Sequence, residues 1–318
     1  MKGDTRESVP NVLYRLAYVL GTVVTNWTVE IPEEFGTGYC SGFVFNENIR
    51  LLILNYELKE DLVIDNPEVN DSASMLLFKF QNVIPKTATP STGRETPSVL
   101  IATSSINTDV VIPIHTNRAI LNVEVDANYL KELVDLSGKS PVLQSLFDNT
   151  QPLLFEEQMF PSLQDIVDQL MTESVDAPFK LFFLRVKAEE LICRLLMALE
   201  RRDEKQLYSL NRQDIDIIYK VKEQMLDHLD MPPVINELAV TANMSPSKLK
   251  RLFRQIFGNS IFSYYQAFRM KEAARLLTAG TLTVSEVGNQ LGFTNLSHFS
   301  RVFYDHIGTK PKQYSRLH

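Results

Sequence analysis

The sequence predicts an α+β chain of two domains. Residues 1–205 read as an antiparallel β barrel or sandwich followed by helices, and residues 206–318 as an all-α pair of helix-turn-helix units. Three observations carry this. Short apolar stretches alternate with turn residues from about Leu20 to Val125. The apolar period turns helical after Asp126. Near the C-terminus one pattern occurs twice, at an offset of 49 to 50 residues.

The strands come first. Thr22–Val29, Ser41–Phe45, Leu51–Tyr56, Leu62–Asp65, Ser74–Phe80, Ser98–Ser104 and Ala119–Val125 favour extended backbone, with Asn46-Glu47-Asn48 and Asn66-Pro67 as turns between them. Many short strands at this spacing argue for a sandwich or barrel. Pro85–Pro97, rich in Thr, Pro and Ser, reads as a long exposed loop. Helical patterns follow at Tyr129–Leu136, Leu163–Met171 and Phe179–Leu199. The last has a wide apolar stripe that fits the sheet, the neighbouring helix or a second copy of the chain. Polar Arg201–Leu210 is the linker candidate.

Beyond it the chain is helical nearly throughout. Asn211 is placed to cap a helix with Ile215, Ile218, Val221, Met225 and Leu229 on one side. Then the repeat begins. Ile235–Ala239, Met244–Phe253 and Gly258 match Val284–Gly288, Gly292–Phe303 and Gly308, with one extra residue near the start of the second copy's second helix. Ala239 and Gly288 are small, as close helix packing demands. Thr283 with Glu286 forms a capping box. Ser245 precedes Pro246 at a helix start, and Gly258 and Gly308 suit left-handed stops. Each copy is a helix, a tight turn and a helix, an arrangement whose second helix can enter a major groove. The intervening Ser260–Thr278 reads as one helix. Its ~19 residues span roughly 28 Å, which with the flanking offset puts the two second helices near ~34 Å apart, one turn of B-DNA.

Composition agrees with a globular chain: 44% hydrophobic, 22% charged. The net charge of −7 is unevenly spread. Residues 1–205 hold 18 Lys+Arg against 30 Asp+Glu, whereas residues 206–318 hold 14 against 9. A basic module on an acidic one suggests that only the C-terminal part faces a polyanion. No apolar run approaches the roughly 18 residues a membrane span needs. The polar N-terminus predicts no secretory signal and a cytoplasmic protein. Two distant cysteines, Cys40 and Cys193, exclude a disulfide framework and a multi-cysteine zinc site.

Catalysis is not expected. Residues 1–205 contain a single histidine, His115, so a metal-holding triad cannot be built from that half. Asp165 and Asp168 read as a solvated helix face. No nucleophile elbow or Gly-rich phosphate loop is present, and neither a metal nor a cofactor is expected. Trp27, Tyr39, Phe43, Phe45, Tyr56, Phe78 and Phe80 read as core, with a ligand box as the alternative. Arg15, Arg50, Lys79, Arg94 and Arg118 are candidates for meeting an anionic ligand, with solvent as the default.

Residues of about 215–317 resemble the DNA-binding domain of the AraC/XylS transcriptional regulators. The likeness rests on Ile235–Phe253, on Arg269-Met270-Lys271-Glu272-Ala273-Ala274-Arg275-Leu276-Leu277, on Val284–Phe293 running into Ser297–Phe303, and on Gly308–Tyr314. The strand-rich half looks like that family's cupin-like regulatory domain. Ile49–Asp65 with Met75–Phe80 is weakly similar to regulators of siderophore-uptake genes.

The resemblance implies two reading helices, Ser247–Phe257 and Asn295–His306. Candidate DNA contacts are Ser247, Lys248, Lys250 and Arg251 in the first. In the second they are Asn295, Leu296, Ser297, His298, Ser300 and Arg301, with Lys310 as a phosphate neighbour. Lys and Arg suit guanine edges or phosphates, Asn suits adenine, and Leu296 a thymine methyl. Where the family often has Lys or Arg, this chain has Tyr304-Asp305. The resemblance implies an activator that meets promoter DNA and RNA polymerase, dimerises, and answers a small molecule in its N-terminal domain. The alternative is an N-terminal domain that only dimerises or binds a protein partner.

Overall fold

The computed structural model describes residues 8–59, 62–63, 74–85, 96–106, 111–112, 117–135, 140–202 and 206–317. It divides into two compact units, Met1–Leu210 and Asn211–His318. The Asn66-Pro67 turn, His115, Arg94 and most of the Pro85–Pro97 loop lie outside the described residues, as does the Arg118 side chain.

The first unit is built on one antiparallel sheet. Its strands are β1 (Thr28–Glu30), β2 (Gly36–Asn46), β3 (Ile49–Leu58), β5 (Met75–Gln81), β6 (Ser98–Ala102), β8 (Asn117–Asp126) and β9 (Leu154–Gln158), in the order β1-β2-β3-β8-β5-β6-β9. β4 (Leu62–Val63) and β7 (Val111–Ile112) pair separately. The sheet is open. Among the described residues β1 pairs only with β2 and β9 only with β6, so the closure expected of a barrel is not formed. Thr22–Val29 is not one strand either. Left-handed Asn26 and Trp27 (φ 51° and 64°) break it, and β1 keeps three residues before Pro32. The predicted Asn46-Glu47-Asn48 turn joins β2 to β3, where the Asn46 side chain accepts from the backbone N–H groups of Asn48 and Ile49.

β3 is apolar on both faces because both are covered. Ile49, Leu51 and Ile53 point into the main core with Phe43, Phe78, Phe80 and Phe155. Leu52, Leu54, Tyr56 and Leu58 meet a second core under α1 (Asn11–Val19), which contributes Leu13 and Leu16. Burying aliphatic and aromatic groups this way stabilises by roughly 1.5–3 kcal/mol per side chain. Phe43, Tyr56, Phe78 and Phe80 are therefore core, and Trp27, Tyr39 and Phe45 pack at its edge. Arg50 pairs with Glu124, and Lys79 is buried.

The helices α2 (Ala127–Leu133), α3 (Pro141–Asp148), α4 (Pro161–Thr172) and α5 (Lys180–Glu200) follow, with a 3-10 turn at Ala177–Phe179 before α5. Asp126 caps α2 and Ser140 caps α3. The α5 stripe divides. Leu184, Ala188, Leu191, Leu195 and Leu199 enter the main core, while Phe179 and Phe182 remain exposed. The stretch read as a linker is held at both ends. Arg202 pairs with Glu157 at 2.7 Å and donates to the Glu156 carbonyl, and the Leu210 N–H donates to the Pro152 carbonyl.

The second unit contains α6 (Arg212–Asp227), α7 (Ile235–Thr241), α8 (Pro246–Phe257), α9 (Ile261–Thr278), α10 (Val284–Gln290), α11 (Leu296–Ile307) and α12 (Pro311–Leu317). Asn211 caps α6 through its side-chain oxygen on the Asp214 N–H. Ile218, Val221 and Met225 then form the buried side of that helix.

Candidate nucleic-acid interface

The two helix-turn-helix copies repeat down to single hydrogen bonds. In the first, the Asn243 N–H donates to the Val240 carbonyl and the Met244 N–H to the Ala239 carbonyl. In the second, Gly292 donates to Asn289 and Phe293 to Gly288. Both turns pass through a left-handed residue, Asn243 (φ 48°) and Gly292 (φ 74°). Both second helices are 12 residues long and end on left-handed glycines, Gly258 and Gly308. Each presses a phenylalanine edge-on against the tyrosine of the helix that follows. The ring centroids lie 5.5 Å apart for Phe253–Tyr264 and 5.6 Å for Phe303–Tyr314. The extra residue of the second copy, Thr294, precedes its cap.

Caps orient the candidate readers. Ser245 accepts from the Lys248 N–H and Asn295 from the His298 N–H, which satisfies donors a helix start leaves unpaired. Thr283 and Glu286 close the capping box of α10 in both directions. The amphipathic pattern then sorts α8 and α11. Leu249, Leu252 and Phe253 are buried, as are Phe299 and Phe303.

The structure brings the predicted contact residues to two helices in one unit. Ser247, Lys250 and Arg251 are exposed on α8. On α11, Ser297, His298 and Arg301 are exposed and Ser300 is half-buried. Lys310 is exposed beside the start of α12.

Four residues carry other duties. Lys248 is half-buried, with its Nζ 2.8 Å from Asp214 Oδ1 on α6, so its charge is balanced inside the domain. Asn295 spends on the cap the Oδ1 that a bidentate adenine contact needs. Leu296 is 40% exposed yet packs over Gly288, where an added Cβ would meet its Cδ2 at 2.9 Å. The His298 ring leans edge-on against Phe293.

The sequence reading missed two side chains of α9 that bond to backbone carbonyls far along the chain. On α9, the Tyr265 hydroxyl donates to the Leu229 carbonyl at 2.8 Å. One turn later, buried Arg269 donates through Nε to the Leu291 carbonyl at 2.7 Å, with its guanidinium 3.7 Å from the Phe293 ring centroid. One grip holds the approach to the first copy and the other holds the turn of the second. The signal was a cation in the apolar stripe of α9, within the very motif that carries the resemblance. Burial pushes the Arg269 pKa down from its usual value, yet arginine stays charged at neutral pH.

Two capped helix-turn-helix units set on one shared helix define a double helix-turn-helix domain. Residues 238–317 match the helix-turn-helix domain family. The arabinose operon regulatory protein of Escherichia coli (strain K12) is 27% identical over 172 residues, 54% of this chain and 56% of that protein. Regulatory protein PchR of Pseudomonas aeruginosa is 29% identical over 118 residues, 36% of this chain and 40% of that protein. Among solved structures, the DNA-binding domain of the global transcriptional factor AdpA, in complex with a target DNA, is 27% identical. It aligns with a TM-score of 0.30, over 31% of this chain and 90% of that one. The chain spans about half the length of the first of these relatives and less of the second. The C-terminal unit belongs to the AraC-type helix-turn-helix DNA-binding domains.

Proposed function

We propose that the chain is a sequence-specific transcriptional regulator. Its residues 206–318 read two successive major grooves of promoter DNA, one with α8 and one with α11. Residues 1–205 form the regulatory part, which holds a small molecule and dimerises. The carrying observation is the duplicated unit with its two capped 12-residue second helices, together with Tyr265 and Arg269, which tie α9 to the segment after α6 and to the turn of the second copy. The basic balance of this half and exposed Lys250, Arg251, Arg301 and Lys310 support it. We read the protein as a cytoplasmic activator that contacts RNA polymerase and performs no catalysis. Among the described residues, no helix is long and apolar enough to cross a membrane. A second reading has one observation of its own. A groove lined by Phe179, Phe182 and Val186 favours control by dimerisation or a protein partner without a metabolite.

The test starts from duplexes selected out of a random pool by the full chain, followed by footprinting. Two protected patches about 10 base pairs apart on one face are expected. A single patch would break the two-groove reading. Arg301→Ala should weaken the selected site by ~1–3 kcal/mol and non-specific DNA by less. Equal losses on both would make Arg301 a phosphate contact.

A further inference from the structure

The repeat tells the faces of its helices apart. α8 and α11 are each 12 residues long, end on equivalent left-handed glycines, and correspond residue for residue at an offset of 50. What one copy does with a position shows which way that position points in the other. On α8, Lys248, Leu252 and Gln255 share a flank turned into the domain: Lys248 pairs with Asp214 of α6, and Leu252 and Gln255 are buried. Ser247, Lys250, Arg251 and Arg254 form a separate, exposed stripe with helical i, i+3, i+4, i+7 spacing. On α11 the same stripe is Ser297, Ser300, Arg301 and Tyr304. Asp305, the counterpart of Gln255, falls on the flank instead.

Tyr304 is not among the contacts expected from the sequence. It is 51% exposed, the one aromatic ring on an otherwise polar stripe, and lies one turn beyond Arg301. From Leu296 to Tyr304 is eight residues, about 12 Å along the helix. The major groove is about 12 Å wide, and a reading helix sets its first residues on base edges. In the two-groove reading Tyr304 therefore arrives at the groove's rim, where the phosphates stand. At this position the first copy has Arg254 and the second has a neutral hydroxyl. The difference is physical. A cation draws any phosphate and releases counterions on any sequence. A hydroxyl acts only at hydrogen-bond distance and angle, so it rewards a complex in register and not a sliding one.

We infer that Tyr304 is a specificity-determining contact of α11, donating its hydroxyl to a backbone phosphate at the rim of the second groove. The inference rests on the two-groove reading and assigns a residue that reading did not include.

Tyr304→Phe removes only a hydroxyl from a half-exposed ring, so the urea midpoint should not move. Affinities of the full chain are measured across a salt titration, on the selected duplex and on a scrambled duplex of equal length. Tyr304→Phe should weaken the selected duplex about five-fold and the scrambled one by less than about two-fold, with the salt slope unchanged. Tyr304→Lys should tighten the scrambled duplex and steepen its slope by about 1, so that the ratio between the two duplexes falls. Ethylation interference locates the contact. One phosphate at the edge of the α11 patch should matter to the wild-type chain and not to Tyr304→Phe.

An unchanged selected-duplex affinity in Tyr304→Phe would overturn the contact. Equal losses on both duplexes would overturn the specificity role, and an interference pattern identical to wild type would overturn the phosphate assignment. Arg301→Ala separates this inference from the reading beneath it. If Arg301→Ala weakens the selected duplex and two patches are protected while Tyr304→Phe is silent, the inference fails alone. If the wild-type chain protects one patch and both variants are silent, the two-groove reading fails and takes the inference with it.

Discussion

The first helix-turn-helix copy turns on Asn243 and the second on Gly292, at equivalent left-handed positions. The geometry is shared, but the tolerance differs. Asparagine visits that conformation at modest cost. At Gly292 a Cβ would lie 1.9 Å from the Asp230 carbonyl oxygen, in the segment after α6, so no side chain fits. The comparison teaches that a duplicated motif keeps its hydrogen-bond skeleton while each copy's surroundings choose its residues. The copies differ likewise in what they do with the third residue of the reading helix. Lys248 is tied to Asp214, whereas His298 rests on Phe293.

The largest effect expected from this comparison is at the turns. Gly292→Ala should destabilise the second unit by about 3 kcal/mol or more, because a backbone clash adds to the left-handed penalty. Asn243→Gly in the first copy should stay within roughly 0.5 kcal/mol. Hydrogen exchange over residues 284–307 and 235–257 would check the pair, and equal responses would defeat the asymmetry.

The α9 grips come next. Arg269→Met leaves the Leu291 carbonyl without its charged donor and should cost about 2–3 kcal/mol. Tyr265→Phe removes a neutral bond to Leu229 and should cost about 1 kcal/mol. Urea titration of each variant measures this. In the two-groove reading, Arg269→Met should also erase the footprint of α11 before that of α8.

The caps should be closer to equal. Ser245→Ala and Asn295→Ala each lose one side-chain bond to a helix start, at about 1 kcal/mol. A much larger effect of Asn295→Ala on DNA affinity than on the urea midpoint would show its amide at work on a base.

The smallest effect concerns neighbouring lysines on α8. Lys250→Ala should reduce the salt slope of DNA binding by about 1. Lys248→Ala should leave the slope nearly unchanged, because Asp214 already balances that charge. Equal slopes would mean that Lys248 leaves Asp214 on binding DNA.

The second unit was far more legible than the first, for a local reason. Its signals act within a few residues: Ser245 with Pro246, Thr283 with Glu286, and glycines at helix ends. Short-range hydrogen bonds and steric stops decide such features wherever the chain lies. The first unit's misses were non-local. α1, α3 and β9 are short and weakly patterned, and only partners distant in sequence order them. α1 covers a face of β3, while β9 pairs with β6 and is gripped by Arg202. The Thr22–Val29 reading failed because β propensity says nothing of the left-handed pair Asn26 and Trp27.

For the candidate interface, the sequence by itself determined which helices form, where they begin and end, and which faces they bury, because periodicity and caps are properties of neighbouring residues. Tertiary structure alone decided three things. The sheet stays open, since its end strands find no partner among the described residues. Lys248 and Asn295 are engaged within the domain, since Asp214 and the His298 N–H lie within hydrogen-bond reach of them. And α9 ties the segment after α6 to the turn of the second copy, since Tyr265 and Arg269 reach backbone carbonyls 36 and 22 residues away, distances along the chain that no local pattern encodes.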